Sequence, residues 1–404
     1  MHAPSCARMP IPDQNKKYRA AAWALACVAV CLLWQGTLVH FKFDGNWNGL
    51  YLTGDTHAVP ELLAGENIYQ AENSSGYDGQ FYHYMAHDPF LTRGLQSAVD
   101  VPELRWRRIL VPGVAAVLSL GNDAWTDVAY RAVILLFVFL GCYWLGRIAA
   151  HFGRSPAWGL SFMLIPPMAF ALDRMTVDIA LVALCVGYLL FTFENRSKAV
   201  WAVLVLAPLA RETGLALVAV HAGISILRHR WSAVLRSLAC AAPFIAWAIF
   251  VRIHAEQTPH LGSWTAAPLQ GLVVRTVSLF DQGPSEMTPI LEEILSALCI
   301  FAVWSALVAS IALIWRRLSA GGRESLGAVE VGVIVFSLAA VALSAPAAWA
   351  EPHAFVRILS PLFVFLLIAG LRDGSPALLL PAVLLLPWLV TETAVQAVFV
   401  WRNF

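Results

Sequence analysis

The sequence predicts an all-α polytopic membrane protein of about eleven transmembrane helices, with one large extracytoplasmic loop directly after the first. Three observations predict it. Of 404 residues, 59% are apolar and only 13% are charged, against about 45–50% and about 25% in an ordinary soluble domain. Apolar runs approaching the roughly 20 residues needed to cross hydrocarbon recur along the chain. The basic residues in the short loops then sort to one side. Net charge is +1, from 27 basic and 26 acidic residues, so there is no basic footprint for nucleic acid.

Residues 1–19 form a cytoplasmic N-terminus carrying Lys16, Lys17 and Arg19. The run 20–41 is the first span. A signal peptide has a shorter apolar core and a small-residue cleavage site, so an uncleaved anchor is expected. Residues 42–128 form the extracytoplasmic loop with short amphipathic and interfacial helices. Transmembrane helices two to seven occupy 129–252, with spans at 129–147, 156–172, 177–193 and 233–252 and a short pair at 199–227. A second extracytoplasmic loop covers 253–289. Residues 290–404 hold the C-terminal spans 290–315, 326–346, 354–371 and a proline-broken tail, 377–400.

With the N-terminus inside, the basic groups Arg147/Arg154, Arg196/Lys198, Arg228/Arg230/Arg236, Arg316/Arg317/Arg323 and Arg372 all fall inside, which sets the cytoplasmic side; the expected location is the plasma (inner) membrane. This constrains two segments. The apolar run 109–120 must lie on the outer face without crossing. The runs 199–210 and 214–227 must form an in–out–in pair with Arg211-Glu212-Thr213-Gly214 at the outer turn. Each spans only about 18–21 Å. Arg211 and Glu212 should therefore face a polar cavity or pair with each other.

The first loop is acidic and aromatic. Phe81, Tyr84 and Met85 share one face of a helix over 79–87, with Asp78 where an N-cap belongs and Pro89 as the stop. A capping carboxylate is worth about 1 kcal/mol. A carboxylate kept ionised at a helix N-terminus can also accept a proton from a hydroxyl. The two roles are compatible. Arg105, Arg107 and Arg108 read either as an interfacial collar or as a clamp for an anionic headgroup. Arg174 and Asp178 sit at an outer turn, and Arg357 sits just inside a late apolar run, so it needs a partner.

The seven cysteines show no zinc spacing and no disulfide framework for the first loop. The histidines are scattered, so no metal site is expected from them. Glu292 and Glu293, with Glu286 nearby, are the one place suggestive of a divalent cation, and nothing else in the sequence supports one.

These elements resemble the multi-pass GT-C-type glycosyltransferases, of which the protein O-mannosyltransferases and the lipid A aminoarabinose transferases are members. Asp78-Gly79-Gln80-Phe81-Tyr82…Ala86 is similar to the family's D-E-x-x-Y…A stretch, with Gly79 in place of the Glu. Arg174…Asp178 is similar to R-x-x-x-D, Arg211-Glu212-Thr213 to the K/R-x-T turn, and Arg357-Ile358-Leu359-Ser360-Pro361 to the late R-Y-L-L-P element. The resemblance implies an inverting transferase. It would use a polyprenyl-phosphate-linked sugar as donor and an extracytoplasmic glycan, lipid or protein as acceptor. It implies Asp78 as general base, with Asp44 and Asp55 in reserve. Arg211, Arg357 and Arg174 would stabilise the lipid phosphate, and Arg105, Arg107 and Arg108 would dock the headgroup. Tyr82, His83, Trp106, Asp178 and Glu212 would line the substrate.

Two other classes stay open. A transporter or flippase would use the same arginines without breaking a bond, although no internal repeat is visible. A non-catalytic scaffold of the same fold predicts that the outer arginines fail to converge within about 10 Å.

Overall fold

The structure is a computed structural model describing residues 14–56, 58–256, 267–281 and 290–402. It is 79% helical. The described strands are Thr53–Gly54 and Gln70–Ala71, which pair in parallel inside the first loop.

The chain opens with α1 (Gln14–Lys42), a proline-free apolar run. The loop contributes α2 (Asp78–His87), α3 (Pro102–Trp106) and α4 (Leu110–Leu118). Helix α4 has nine residues, about 14 Å at 1.5 Å per residue, so it is too short to cross. Val117, Leu118 and Leu120 beside it are exposed, as an interfacial element requires. Next come α5 (Asp123–His151), α6 (Pro167–Arg174), α7 (Asp178–Phe193), α8 (Ser197–Ala210) and α9 (Leu215–Leu227). They are followed by α10 (Trp231–Ala239), α11 (Ala242–His254), α12 (Gln270–Asp281), α13 (Ile290–Gly321), α14 (Ala328–Ala342) and α15 (Pro346–Trp349). The chain closes with α16 (Pro352–Ile358), α17 (Ser360–Asp373), α18 (Leu380–Leu384) and α19 (Leu386–Arg402).

Among the described residues, five helical segments are long and apolar enough to cross a membrane: α1, α5, α10 with α11, α13 with its extension to Ser325, and Leu380–Trp401. The pair α16–α17, bent by 55°, makes a sixth if it is one span. Helices α7, α8, α9 and α14 are apolar but shorter. The segment 156–172, read from the sequence as one span, is not one continuous α-helix but a 3-10 stretch, Pro156–Leu164, followed by α6. Pro166 and Pro167 inside the run each remove a backbone donor, which breaks an α-helical ladder.

Helices α8 and α9 are joined by a tight turn at Arg211–Gly214. Helix α8 stops at Arg211, which is extended (φ −163°, ψ 144°). A Cβ on Gly214 would lie 2.2 Å from the carbonyl carbon of Ala207, so only glycine lets the two helices turn this tightly.

Helices α7 and α17 are the enclosed centre. Every residue from Asp178 to Phe191 and from Ser360 to Leu371 is buried. A helix apolar all round belongs in such a position. At one end of the bundle, Arg147 pairs with Glu194. At that same end, Arg317 and Arg372 share Glu330 at 3.0 and 2.6 Å, and Arg154 donates to the Leu371 carbonyl at 3.4 Å. The C-terminal ends of α5, α7, α13 and α17 therefore lie together. The opposite end carries the N-termini of α7 and α17 and the first loop.

Candidate functional site

Asp78 is the first residue of α2, and Tyr77 occupies the cap position without a side-chain capping bond. This corrects the expected capping role. The carboxylate turns instead to two guanidinium groups, Arg105 Nη2 at 3.0 Å and Arg357 Nη2 at 3.1 Å. Burial pushes the Asp78 pKa up, but Arg105 and Arg357 outweigh it and hold the carboxyl well below the usual range.

Arg357 lies in α16, just before the bend into α17. Its Nε donates to the His353 carbonyl at 2.8 Å, which fixes the fork. Its Nη1 lies 3.2 Å from Asp178 Oδ2, so one guanidinium bridges two aspartates. Asp178 opens α7, where the helix field favours negative charge, and pairs closely with Arg211 as well. Arg211 Nε lies 3.9 Å from Glu212 Oε1. Arg108 forks onto Glu212 at 2.8 and 3.0 Å and donates to the Tyr82 hydroxyl at 3.0 Å. Arg105 forks onto Asp100 at 2.9 and 2.7 Å and stacks over Phe81.

The result is one continuous network from Arg105 through Asp78, Arg357, Asp178, Arg211 and Glu212 to Arg108. Its arginines are 8–10% exposed, while Asp78 is 22% and Glu212 32% exposed. The network is therefore reached from solvent past Asp78 and Glu212, while Asp178 is enclosed at 4%. Arg174 flanks it. Its guanidinium sits over Tyr77 and Phe170, the same two rings that lie under Arg357, and it pairs with Glu392 at 3.2 Å.

Other expected site residues lie elsewhere. Asp44 occupies a left-handed turn (φ 51°) after α1. Exposed Asp55 accepts from the N–H groups of Asn73 and Ser74 at 2.8 and 3.0 Å, which lower its pKa. Among the described residues neither pairs with an arginine. Arg107 pairs with Glu103 one helical turn away and stays outside the network. Trp106 and Tyr82 are buried and offer no ring face to an incoming sugar. The Trp106 indole donates to the Asp88 carbonyl at 3.0 Å, and its own carbonyl accepts from Trp247 at 2.7 Å. Glu292 and Glu293 line a cavity with Arg275, Glu351, His353 and Glu392. They form no metal-like cluster among the described residues, and Glu286 lies outside those residues.

His83 belongs to a different constellation that the sequence reading missed. Glu66, His83, His87 and Asp127 each offer one donor atom, and these atoms lie within 4.8 Å of one another. The legible signal was His83 and His87 at i, i+4 on one helix. Their acidic partners come from a loop and from α5, which spacing does not reveal. Burial lowers the His83 pKa, but Asp127 and Glu66 more than offset this and push it to about 9.

No family model, no curated protein and no solved structure matches the chain.

Proposed function

We propose that this chain is a GT-C-type glycosyltransferase of the plasma (inner) membrane. It would cross eleven times from a cytoplasmic N-terminus and transfer a sugar from a polyprenyl-phosphate donor to an extracytoplasmic acceptor. The observation that carries the reading is the chain of contacts Asp78–Arg357–Asp178–Arg211. It joins residues from all four motifs of the resemblance, with Arg174 stacked alongside. A scaffold that had lost its chemistry does not require this convergence. Five described segments, six with the bent pair, are long and apolar enough to cross; the reading assigns the other five passages to the shorter apolar helices α7, α8, α9 and α14 and to the 3-10 stretch with α6.

In this mechanism Asp78 accepts the proton of the acceptor hydroxyl as that oxygen bonds to the anomeric carbon. The bond from that carbon to the phosphate oxygen breaks, and its electron pair leaves on the polyprenyl phosphate. Arg357 and Arg211 stabilise the developing charge, and configuration inverts. The ion pairs give this scheme a switch. Asp78 is a weak base while two guanidinium groups hold it. A donor phosphate competes for those same forks and leaves Asp78 more basic at the moment it is needed.

The test is Asp78→Asn at matched expression. Membranes supplied with a polyprenyl-phosphate sugar should lose transfer by about 10²–10⁴-fold, the usual contribution of a general base. Lipid extracts from cells carrying the variant should accumulate the donor. Undiminished transfer removes Asp78 from the chemistry, and absence of any accumulating lipid-linked sugar removes the donor class.

A further inference from the structure

We propose that Glu66, His83, His87 and Asp127 bind one divalent transition-metal ion, with zinc the best match, and that this ion locks α2 onto the start of α5. The inference does not rest on the proposed transferase activity.

Four lines of geometry carry it. First, the spacings are close to those of a metal centre. Zinc bonds of about 2.0–2.2 Å in a tetrahedron imply ligand–ligand distances of about 3.3–3.6 Å. The structure has His83 Nε2 at 3.4 Å from Glu66 Oε2, and His87 Nε2 at 3.6 Å from Glu66 Oε1 and 3.7 Å from Asp127 Oδ1; His83 Nε2 and Asp127 Oδ1, at 2.9 Å, would part by a few tenths of an ångström around an ion, and all the donor atoms lie within 4.8 Å of one another. Second, the inward atoms have only one another. Both histidine side chains are 0% exposed, and His83 Nε2, His87 Nε2 and Glu66 Oε2 make no well-directed hydrogen bond, meeting only the other members of the cluster at 2.9–3.7 Å. A buried polar atom without a partner is destabilising, and several facing one another point to a shared ligand.

Third, an outer shell orients His87 and Asp127, as metal sites require. His87 Nδ1 lies 2.8 Å from Asp123 Oδ1. Arg93 forks onto Asp123 at 2.7 and 2.8 Å and also donates to the His87 carbonyl. This arrangement favours a proton on Nδ1 and leaves the Nε2 lone pair facing inward. Tyr51 donates to Asp127 at 3.0 Å and stacks on the His83 ring at 4.2 Å. Fourth, the charges balance. Binding releases the proton that His83 otherwise carries between the carboxylates; two neutral imidazoles and two carboxylates then neutralise a divalent cation, and this nitrogen–oxygen set suits zinc better than magnesium or calcium. Glu66 and Asp127 remain 22% and 16% exposed, which leaves an ion a way in.

Four protein ligands make a closed, structural site. Asp78 begins the helix that carries both histidines, so the ion would also set the height of Asp78 against Arg105 and Arg357.

The experiment uses the full chain, purified in detergent on a histidine-free tag without chelators, and measures metal per chain by mass spectrometry after dialysis against zinc. About one ion per chain is expected. Cobalt(II) in place of zinc should give the visible absorption of a tetrahedral site. His87→Gln and Asp127→Asn should lose the ion. Asp123→Asn touches no metal and should weaken affinity by about 10–100-fold. Glu66→Gln, on the exposed side of the cluster, guards against a variant that merely fails to fold. Wild-type protein that holds no stoichiometric zinc or cobalt overturns the proposal. So does an unchanged metal content in folded Glu66→Gln and Asp127→Asn.

Discussion

Asp78 and Arg357 stand 279 positions apart in the chain, and their side chains meet at 3.1 Å. The first belongs to the loop after α1, the second to the bend before α17. Removing Arg357 leaves Asp78 with Arg105 alone and Asp178 with Arg211 alone. Breaking a buried pair costs about 3–5 kcal/mol, and the partial exposure of Asp78 places Arg357→Ala near the lower end. The melting midpoint in detergent should fall accordingly. Adding Asp78→Asn should cost less than the sum of the two single losses, because the contact is shared. Full additivity in that double-mutant cycle denies the interaction.

The same pair sets a pH dependence. The folded-state pKa of Asp78 lies below its ordinary value of 3.8. Its contribution to stability is therefore complete above that value and is lost as pH falls through the lower folded value. Other carboxylates titrate in the same window, so the informative quantity is a difference. Wild type should lose more thermal stability between pH 5 and about pH 2 than Asp78→Asn does. Parallel melting curves across that range contradict the assignment.

Gly79 explains where this chain departs from the D-E pattern it resembles. A Cβ there would lie 2.1 Å from the Arg174 carbonyl oxygen and 2.9 Å from that of Tyr51. Both are backbone atoms, which have little room to yield. Gly79→Ala should destabilise by about 1–3 kcal/mol, as overpacking does, and Gly79→Glu should lower the yield of folded protein sharply. Wild-type melting behaviour in Gly79→Ala is the outcome that refutes this packing.

Much of this was readable along the chain, for local reasons. The α8–α9 pair follows from an apolar run interrupted by Arg211 and Glu212, and α2 follows from the spacing of Phe81, Tyr84 and Met85. The grouping of Asp78, Arg174, Arg211 and Arg357 on one end followed from loop charges and from resemblance. What stayed hidden was depth and partnership. Trp106 looks like a surface aromatic because arginines flank it, and Tyr82 because it sits in a polar loop, yet both are buried. Asp127 reads as one more polar residue before an apolar run until folding sets it beside His83. Pro166 and Pro167 stand in plain view, but the hydropathy of the run 156–172 masks the break they make in it.

The last prediction concerns sidedness, on which the donor and acceptor assignments both depend. Glu72 lies in the first loop, on the same side of the fold as Asp78, and is exposed. Lys198 is exposed at the start of α8, close in sequence to the Arg147–Glu194 pair at the opposite end. Arg316, Arg317 and Arg372 gather at that opposite end around Asp373, and clustered lysine and arginine mark a cytoplasmic face. In a variant freed of native cysteines, Glu72→Cys should react with an impermeant maleimide in intact cells, whereas Lys198→Cys should react only after permeabilisation. If the two sites exchange behaviour, Asp78 faces the cytoplasm. A polyprenyl-phosphate donor on the outer leaflet is then out of its reach, whatever the convergence of the arginines.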